Sequence, residues 1–332
     1  MLGYASISFW HFVFRGPGRA RPVTAPKVGV PVAAALLFGL ALTAAGCTRR
    51  SGAPPVEDTE TSGRISIAAS VDAQRLLMQE LDAFRVTYPQ ATLELRPPES
   101  SGQVVGALLG GHADLAAAGR ELEDEERNMA RQAGIEVEGH RVAQDAICLV
   151  VPEVSPVQNL TVGELRQIWL GDARTWSAFG GPSTAIVPVL PPLASDLARA
   201  FVQRVMDGAT LRAPSVIEVS DSGVAERVAH TPGSIGVVRL ALASAPGVRA
   251  LGISPLEGLG YVDPDMETVH GGRYPLTLYF NLFIRTHGPR LAGGFVTFVA
   301  SQPGQQLVLD SGRVPTAVPL RFVHRSPILG SH

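Results

Sequence analysis

The chain has 332 residues, of which 45% are hydrophobic, 17% charged and 6% aromatic, a composition typical of a soluble globular protein long enough for two lobes. Its formal net charge of −2 argues against a nucleic-acid-binding protein and against a polybasic membrane-surface protein. Neither a CxxC nor an HExxH motif is present, so we predict no dedicated metal site and no bound cofactor.

Residues 1–46 have the features of a secretory signal. Basic residues between Arg15 and Lys27 precede an almost unbroken apolar run, Val28–Ala45, which ends at Gly46 and Cys47. A basic flank, an apolar stretch and small residues at its end are typical of a cleaved signal peptide. The ending also resembles a bacterial lipobox, with Ala44 in place of the usual leucine, and this implies a lipid on Cys47. The alternative is an uncleaved membrane anchor.

Residues 47–62 follow the predicted signal and contain very few apolar side chains. Such a segment cannot bury enough apolar surface to order itself, so we predict a disordered tether. Behind a lipidated Cys47, it would hold a folded domain close to the outer face of a membrane.

The folded part alternates predicted strands and helices, which indicates an α/β fold with largely parallel sheets. The apolar periodicity predicts strands at 64–69, 91–95, 113–118, 145–151, 185–190, 234–238, 248–253 and 274–284. It predicts helices at 72–86, 104–109, 122–133, 165–169, 195–206, 291–301 and 304–310.

The segment from Pro98 to Ala116 is the first candidate site. Ser100 or Ser101 is a good helix N-cap, and an apolar stripe at helical spacing follows as far as Gly110. A serine-glycine loop that opens a helix presents free amide groups and the positive end of the helix dipole, which favours an oxyanion. The alternative is an ordinary capped helix without a ligand.

Six further patterns occur in the order and at the spacing of a known family. They are Ser101–Leu108, Gly111–Ala116, Asn159–Gly171 with Trp176 and Gly180-Gly181, Thr231–Gly236, Phe295–Phe298 with Ser301, Gly304 and Gln305, and Gly312–Pro315. On these segments the region from about Gly63 to Phe322 resembles the phosphate-binding protein family of bacterial phosphate importers.

That resemblance implies a type II periplasmic binding-protein fold with two lobes, a hinge and a central cleft. The expected first lobe is 63–145 with 274–322, the second lobe is 146–273, and 323–332 is a tail. The implied protein is a monomeric, non-enzymatic, extracytoplasmic receptor that captures phosphate or a related oxyanion. Its implied partners are an ABC importer permease and, through the lipid, a membrane.

The resemblance also implies the ligand contacts, namely Ser70 with Val71, Ser101 with Gly102, Arg120, and Ser195 with Asp196. Four positions depart from the family pattern: Gly119 replaces a serine or an acid, Pro191 an arginine, Asp196 a glycine and Leu197 a threonine. Since a buried dianion needs charge-assisted donors, we expect weakened binding.

These departures keep a second hypothesis open, a diverged binding-protein fold with a different ligand or a sensory role. A hydrolase is disfavoured because GxSxG, a phosphate-cradling Gly-Lys loop and paired metal ligands are missing from the sequence.

Several other residues have two interpretations. Asp145 is either a cleft residue near the crossover between the lobes or a residue that caps or forms a turn. Asp221-Ser222-Gly223 is either an ordinary helix cap or a helix cap that faces the cleft. We expect Asp114 to fix a loop, and Trp169 and Trp176 to pack in the second lobe rather than line a pocket.

Overall fold

The structure, a computed structural model, describes residues 57–316. The predicted signal, Cys47 and the tail 323–332 lie outside these residues. Within them the helices are α1 (Val71–Thr87), α2 (Ser101–Leu109), α3 (Asp124–Gln132), α4 (Val162–Leu170), α5 (Asp196–Arg204), α6 (Asp221–His230), α7 (Met266–His270), α8 (Arg290–Ala300) and α9 (Gln302–Asp310).

The strands of the described region are β1 (Gly63–Ala69), β2 (Ala91–Leu95), β3 (Leu115–Ala118), β4 (Val137–Pro152), β5 (Asn159–Thr161), β6 (Val187–Leu190), β7 (Val216–Ile217), β8 (Ser234–Arg239), β9 (Val248–Ala250), β10 (Gly252–Ser254), β11 (Thr277–Arg285) and β12 (Val314–Pro315). The predicted elements are present with shifted ends, and α6 begins at Asp221 with Ser220 as its N-cap, one residue before the predicted cap. The short β5, β7 and α7 were not predicted, because two to five residues carry too little periodicity.

Local sequence signals account for the helix ends. Ser70 caps α1, whose buried face carries Leu77, Leu81 and Phe84, and a capping box opens α4. α4 ends at Gly171, whose φ of 78° is the left-handed conformation that glycine adopts without steric cost.

One long strand connects the two halves of the fold. The strand order is β2-β1-β3-β11-β4-β8-β6-β7, and β4 contributes its first part to β11 and its second part to β8. The outer pairs β1–β2, β1–β3, β6–β7 and β6–β8 are parallel, whereas β4 and β11 pair antiparallel with all their partners. The expectation of largely parallel sheets is therefore wrong at the centre, because β11 returns from the second lobe against the direction of β3.

Two lobes with separate hydrophobic cores lie on either side of this connection. The first lobe buries side chains on both faces of its sheet, and the second lobe packs around Trp169 and Phe201. On β4, Ala143 belongs to the first core and Ala146 to the second. The residue numbers of the lobe boundaries otherwise remain a prediction.

The end of the predicted tether belongs to the fold. The Asp58 carboxylate accepts the amide hydrogens of Arg290 (2.9 Å) and Leu291 (3.3 Å), at the start of α8. Residues 57–62 are thereby attached to the first lobe. No helix within 57–316 has the length and apolar character needed to cross a bilayer.

Candidate functional site

Three helices begin at the cleft between the lobes, each behind a serine N-cap. The hydroxyls of Ser70 and Ser195 accept the amide hydrogens of Ala73 (3.3 Å) and Ala198 (3.2 Å). Ser100 forms a capping box at α2, which makes Ser101 the first helical residue. The positive ends of three helix dipoles therefore meet at the cleft, as expected for an anion site.

A cavity of about 410 Å³, here called the serine cavity, lies among these helix starts. Ser70, Ser101, Ser195 and Asp196 line it, together with other residues of both lobes. The charged residues that line it are Asp72, Glu99 and Asp196, all acids. The helix dipoles favour an anion there, but the side-chain charges oppose a second one.

The Asp196 carboxylate already engages two donors of the first lobe at the cleft. Its Oδ2 atom accepts the Ser101 hydroxyl hydrogen at 2.7 Å and the Gly119 amide hydrogen at 3.3 Å, and the residue is only 6% exposed. A side chain of the second lobe thus supplies a negative charge to these first-lobe donors.

Gly119 makes this close approach possible. A Cβ atom at residue 119 would lie 3.0 Å from Oδ2 of Asp196 and 3.4 Å from its Cβ. The missing side chain at Gly119 and the acid at Asp196, two departures from the family pattern, are therefore sterically complementary.

The start of α5 is also occupied by a carboxylate of the chain. The Asp196 amide donates to Oδ2 of Asp72 at 3.2 Å, and the same Oδ2 lies 2.6 Å from Nη2 of Arg239. Asp72 therefore connects the serine cavity to a second charged region.

That second region is a cavity of about 380 Å³, here called the arginine cavity. Its charged lining residues are Arg75, Arg239 and Arg313 with Asp72, Asp145 and Asp221. Arg239 is the centre of the cluster, because its guanidinium also contacts the carboxylates of Asp145 (3.2 Å) and Asp221 (3.3 Å).

The charge state of the cluster follows from these contacts. Burial alone would lower the pKa of Arg239, but the carboxylates of Asp145, Asp72 and Asp221 together raise it above its usual value. Burial raises the pKa of Asp221, an effect that Arg239 opposes. Arg239 is thus a permanent cation that holds three acids together.

Arg313 lies in the same cavity in a different electrostatic setting. It is 7% exposed and stacks on the Phe280 ring at 4.6 Å. Its terminal nitrogens donate to the Ser311 hydroxyl and the Asp72 backbone carbonyl, both at 3.3 Å. No carboxylate among the described residues forms an ion pair with it, and its buried Nε has no hydrogen-bond acceptor there. Burial lowers the pKa of Arg313.

The positive charge expected from Arg120 is already compensated. Its Nη atoms donate to both carboxylate oxygens of Glu126, at 2.7 and 2.8 Å, and Glu123 lies 3.4 Å from its Nε. The hydrogen bond to Glu126 raises the pKa of Arg120. A Cβ at Gly102 would lie 3.9 Å from Nη2 of Arg120, so the pair are neighbours. Ligand contact by either residue stays a prediction.

The other predicted site residues divide between cavity and core. Val71 is exposed and lines both cavities, whereas Leu197 is fully buried in the second-lobe core. Asp145 and Asp221 both line the arginine cavity. Asp145 also accepts the amide hydrogens of Ala146 and Leu240, as a capping residue does. Ligand contact by either residue stays a prediction.

Three residues have the structural roles that the sequence indicated. Asp114 accepts the Ser66 amide hydrogen at 2.9 Å and fixes a loop. Trp169 and Trp176 are buried in the second core.

Sequence reasoning missed the arginine cavity. Arg239 ends a strand that is otherwise apolar or small, and Arg313 follows a glycine in one of the quoted motifs. A charged residue at the end of a fully buried strand was the available signal. Its partner Asp145 is 94 residues away along the chain, which no local pattern reveals.

Comparison with known proteins identifies the family. Residues 54–303 match the family described as a PBP superfamily domain. The chain belongs to the PBP superfamily. The resemblance to phosphate-binding proteins and the two-lobe α/β fold expected from it are confirmed.

This PBP superfamily member has curated relatives over most of its length. The phosphate-binding protein PstS of Bacillus subtilis (strain 168) is 27% identical over 290 residues, which cover 86% of this chain and 91% of that protein. PstS of Borreliella burgdorferi is 24% identical over 208 residues, covering 60% of this chain and 71% of that protein.

Solved structures agree on the fold of the PBP superfamily member. An ABC-type phosphate transport receptor from Vibrio cholerae superposes with a TM-score of 0.67 at 20% identity, covering 76% of this chain and all of that one. A putative phosphate ABC transporter substrate-binding protein with bound phosphate, from Clostridium perfringens, gives 0.62 at 23% identity with coverage of 76% and 100%.

Proposed function

We propose that this protein is a non-enzymatic, extracytoplasmic solute-binding protein that takes up phosphate or a related small oxyanion for an ABC importer. The observation that carries the proposal is the Asp196 carboxylate on the Ser101 hydroxyl and the Gly119 amide. These donors coordinate an oxyanion group, and the relatives that share the fold are phosphate-binding proteins.

Asp196 also sets the expected strength of binding. An external oxyanion competes with a tethered carboxylate for the same donors and meets no arginine at Pro191. Losing one charge-assisted contact costs about 1.5–3 kcal/mol, or one to two decades of affinity. We therefore propose binding weaker than in relatives that keep the second-lobe arginine.

Calorimetry with the ligand-stripped full-length protein tests this proposal, using phosphate, sulfate and molybdate in separate titrations. The double variant Pro191→Arg with Asp196→Gly restores the donor set and removes the competing carboxylate. It should bind phosphate at least about tenfold more tightly than the wild-type chain. Leu197 is left unchanged, because it packs in the second core.

Two single variants complete the experiment. Ser101→Ala should weaken phosphate binding, whereas Ser177→Ala, a matched change at an exposed serine outside both cavities, should not. The oxyanion function is wrong if none of the three anions binds to the wild-type chain.

The membrane attachment that we propose depends on Cys47, which lies outside the described residues. Cys47→Ser should move the protein from the membrane fraction to the soluble extracytoplasmic fraction. Unchanged retention would instead indicate an uncleaved apolar helix.

One observation favours a second candidate function, a binding-protein fold with a different ligand or a sensory role. The acids Asp72 and Asp196 already accept hydrogen bonds from the start of α5 and from the α2 side of the cleft. Under this alternative the two carboxylates have replaced the oxyanion permanently, and phosphate affinity appears only in the double variant.

A further inference from the structure

The arginine cavity contains a buried cation, Arg313, that forms no ion pair with any carboxylate of the described residues. Arg313 is 93% buried, and its nearest acceptors are neutral, a hydroxyl and a backbone carbonyl. Burying a guanidinium without an anionic partner is energetically costly, so the site favours a carboxylate from outside the chain. Arg75, exposed on α1 at the same cavity, adds a second positive charge.

Two acids of the arginine cavity offer free acceptors. Asp72 and Asp221 each use one oxygen, Oδ2, for their contacts with described residues. The side chains are 21% and 25% accessible, so their other oxygens are available to a donor that enters the cavity. An ammonium group is the donor that gains most there, because both acceptors are charged.

The charge balance of the cavity distinguishes between classes of ligand. Three arginines and three aspartates line it, so a simple anion or a simple cation would leave an unbalanced charge in a partly buried space. A zwitterion adds no net charge and supplies a partner both to the arginines and to the acids. A volume of about 380 Å³ is at the small end of ligand pockets and suits a free amino acid.

We propose that the arginine cavity is a binding site for a small ammonium-carboxylate zwitterion of the α-amino acid class. The ligand carboxylate accepts hydrogen bonds from the guanidinium groups of Arg313 and Arg75. The ligand ammonium donates to Asp221 and Asp72. Arg239 is not a direct ligand, because three carboxylates of the chain already engage it. This site goes beyond the proposed oxyanion function and uses a different cavity.

Calorimetry with full-length, ligand-stripped protein tests the proposal directly. The probes are the twenty proteinogenic amino acids, titrated one at a time. We expect saturable binding of at least one of them. For alanine the matched fragments are propionate, which lacks the ammonium, and ethylamine, which lacks the carboxylate. For any other amino acid that binds, the corresponding deaminated and decarboxylated analogues serve. Each fragment should bind at least about tenfold more weakly than the parent amino acid.

Two substitutions locate the binding site. Arg313→Gln and Asp221→Asn should each weaken amino acid binding at least about tenfold. Arg64→Gln and Asp172→Asn remove charges from exposed ion pairs elsewhere and should leave the affinity unchanged. Thermal unfolding confirms that each variant is folded. If Arg313→Gln does not fold, the affinities of the Asp221→Asn variant and of the fragments still test the proposed site.

The proposal is overturned if no amino acid binds, if the deaminated fragment binds as tightly as its parent, or if folded Arg313→Gln and Asp221→Asn variants keep full affinity. Phosphate titrations of the same wild-type sample separate the two proposals. Amino acid binding without oxyanion binding contradicts only the proposed function, and the reverse result contradicts only this inference.

Discussion

The serine cavity and the arginine cavity differ in how their buried charges are partnered. In the serine cavity an acid of the chain, Asp196, supplies the anion that three helix starts favour. In the arginine cavity Arg239 has three acidic partners, whereas Arg313, stacked on the same Phe280 ring, has none. The difference teaches that the chain supplies partners for the donors around Asp196 and for Arg239 internally, whereas Arg313 has no ion-pair partner among the described residues.

A buried acid outside the cleft, Glu80, provides a measure of how costly a buried charge without a partner is in this protein. Glu80 on α1 is fully buried, without a described hydrogen-bond partner, and burial raises its pKa from 4.5 to about 8. Between these values the folded chain holds a proton that the unfolded chain has released. The contribution of Glu80 to stability is therefore most favourable below pH 4.5 and becomes less favourable as the pH rises to about 8, by about 5 kcal/mol in total.

Glu80→Gln should remove most of that loss. Urea unfolding at pH 5 and pH 8.5 measures it, with Asp82→Asn, an exposed acid on the same helix, as the control. Equal pH dependence in the wild type and Glu80→Gln would show that a buried charge without a partner is tolerated here.

Substitution of Arg239, the arginine with three acidic partners, tests the other half of the comparison. Arg239→Met should lower the free energy of unfolding by about 3–5 kcal/mol, because it leaves three acids close together in a buried cluster. Arg227→Met, which breaks the more exposed pair with Glu218, should cost about 1 kcal/mol or less. Chemical denaturation of both variants gives the two values, and similar losses would mean that the Arg239 cluster is electrostatically unimportant.

A double-mutant cycle sharpens the description of the serine cavity. Ser101→Ala and Asp196→Ala should show a coupling free energy of about 1.5–3 kcal/mol, as expected for a buried hydrogen bond to a charged acceptor. Urea unfolding of the two single variants and the double variant provides the cycle. Strictly additive losses would mean that the 2.7 Å contact is not formed in solution.

The smallest expected effect tests the steric pairing of Gly119 with Asp196. Gly119→Ala should destabilise the wild-type chain by about 1–3 kcal/mol, because the new Cβ lies too close to Oδ2. In an Asp196→Gly background the same change should cost measurably less. Equal costs in both backgrounds, measured by thermal unfolding, would show that Asp196 does not approach residue 119.

Much of the fold follows from local patterns. The apolar stripes and caps predicted α1, α2, α5, β1, β2 and β11 because each signal lies within about a dozen residues. The first half of β4 was not predicted, because residues 137–144 are partly exposed and carry polar side chains. The antiparallel centre did not follow, since the direction of β11 depends on where the chain returns from the second lobe.

The candidate site was only partly predictable. The serines at the helix starts are local capping signals, and the sequence identified Ser70, Ser101 and Ser195. The contact between Ser101 and Asp196 joins residues 95 apart, so the sequence indicated an acid in the second lobe but not the donors that it occupies. Arg313 lies in the segment Gly312–Pro315, which resembles the family, but the sequence did not indicate that this arginine lacks an acidic partner.

The course of β4 has a mechanical consequence for the cleft. This strand of 16 residues passes from one core to the other without a break. Near the transition, Asp145 accepts the amide hydrogens of Ala146 (2.8 Å) and Leu240 (3.1 Å) while contacting Arg239. Opening the lobes must bend this strand and lengthen the hydrogen bonds of Asp145. We therefore expect an elastic lobe motion of small amplitude. Spin labels on α3 and α6 would then show one narrow distance distribution, and Asp145→Asn would broaden it.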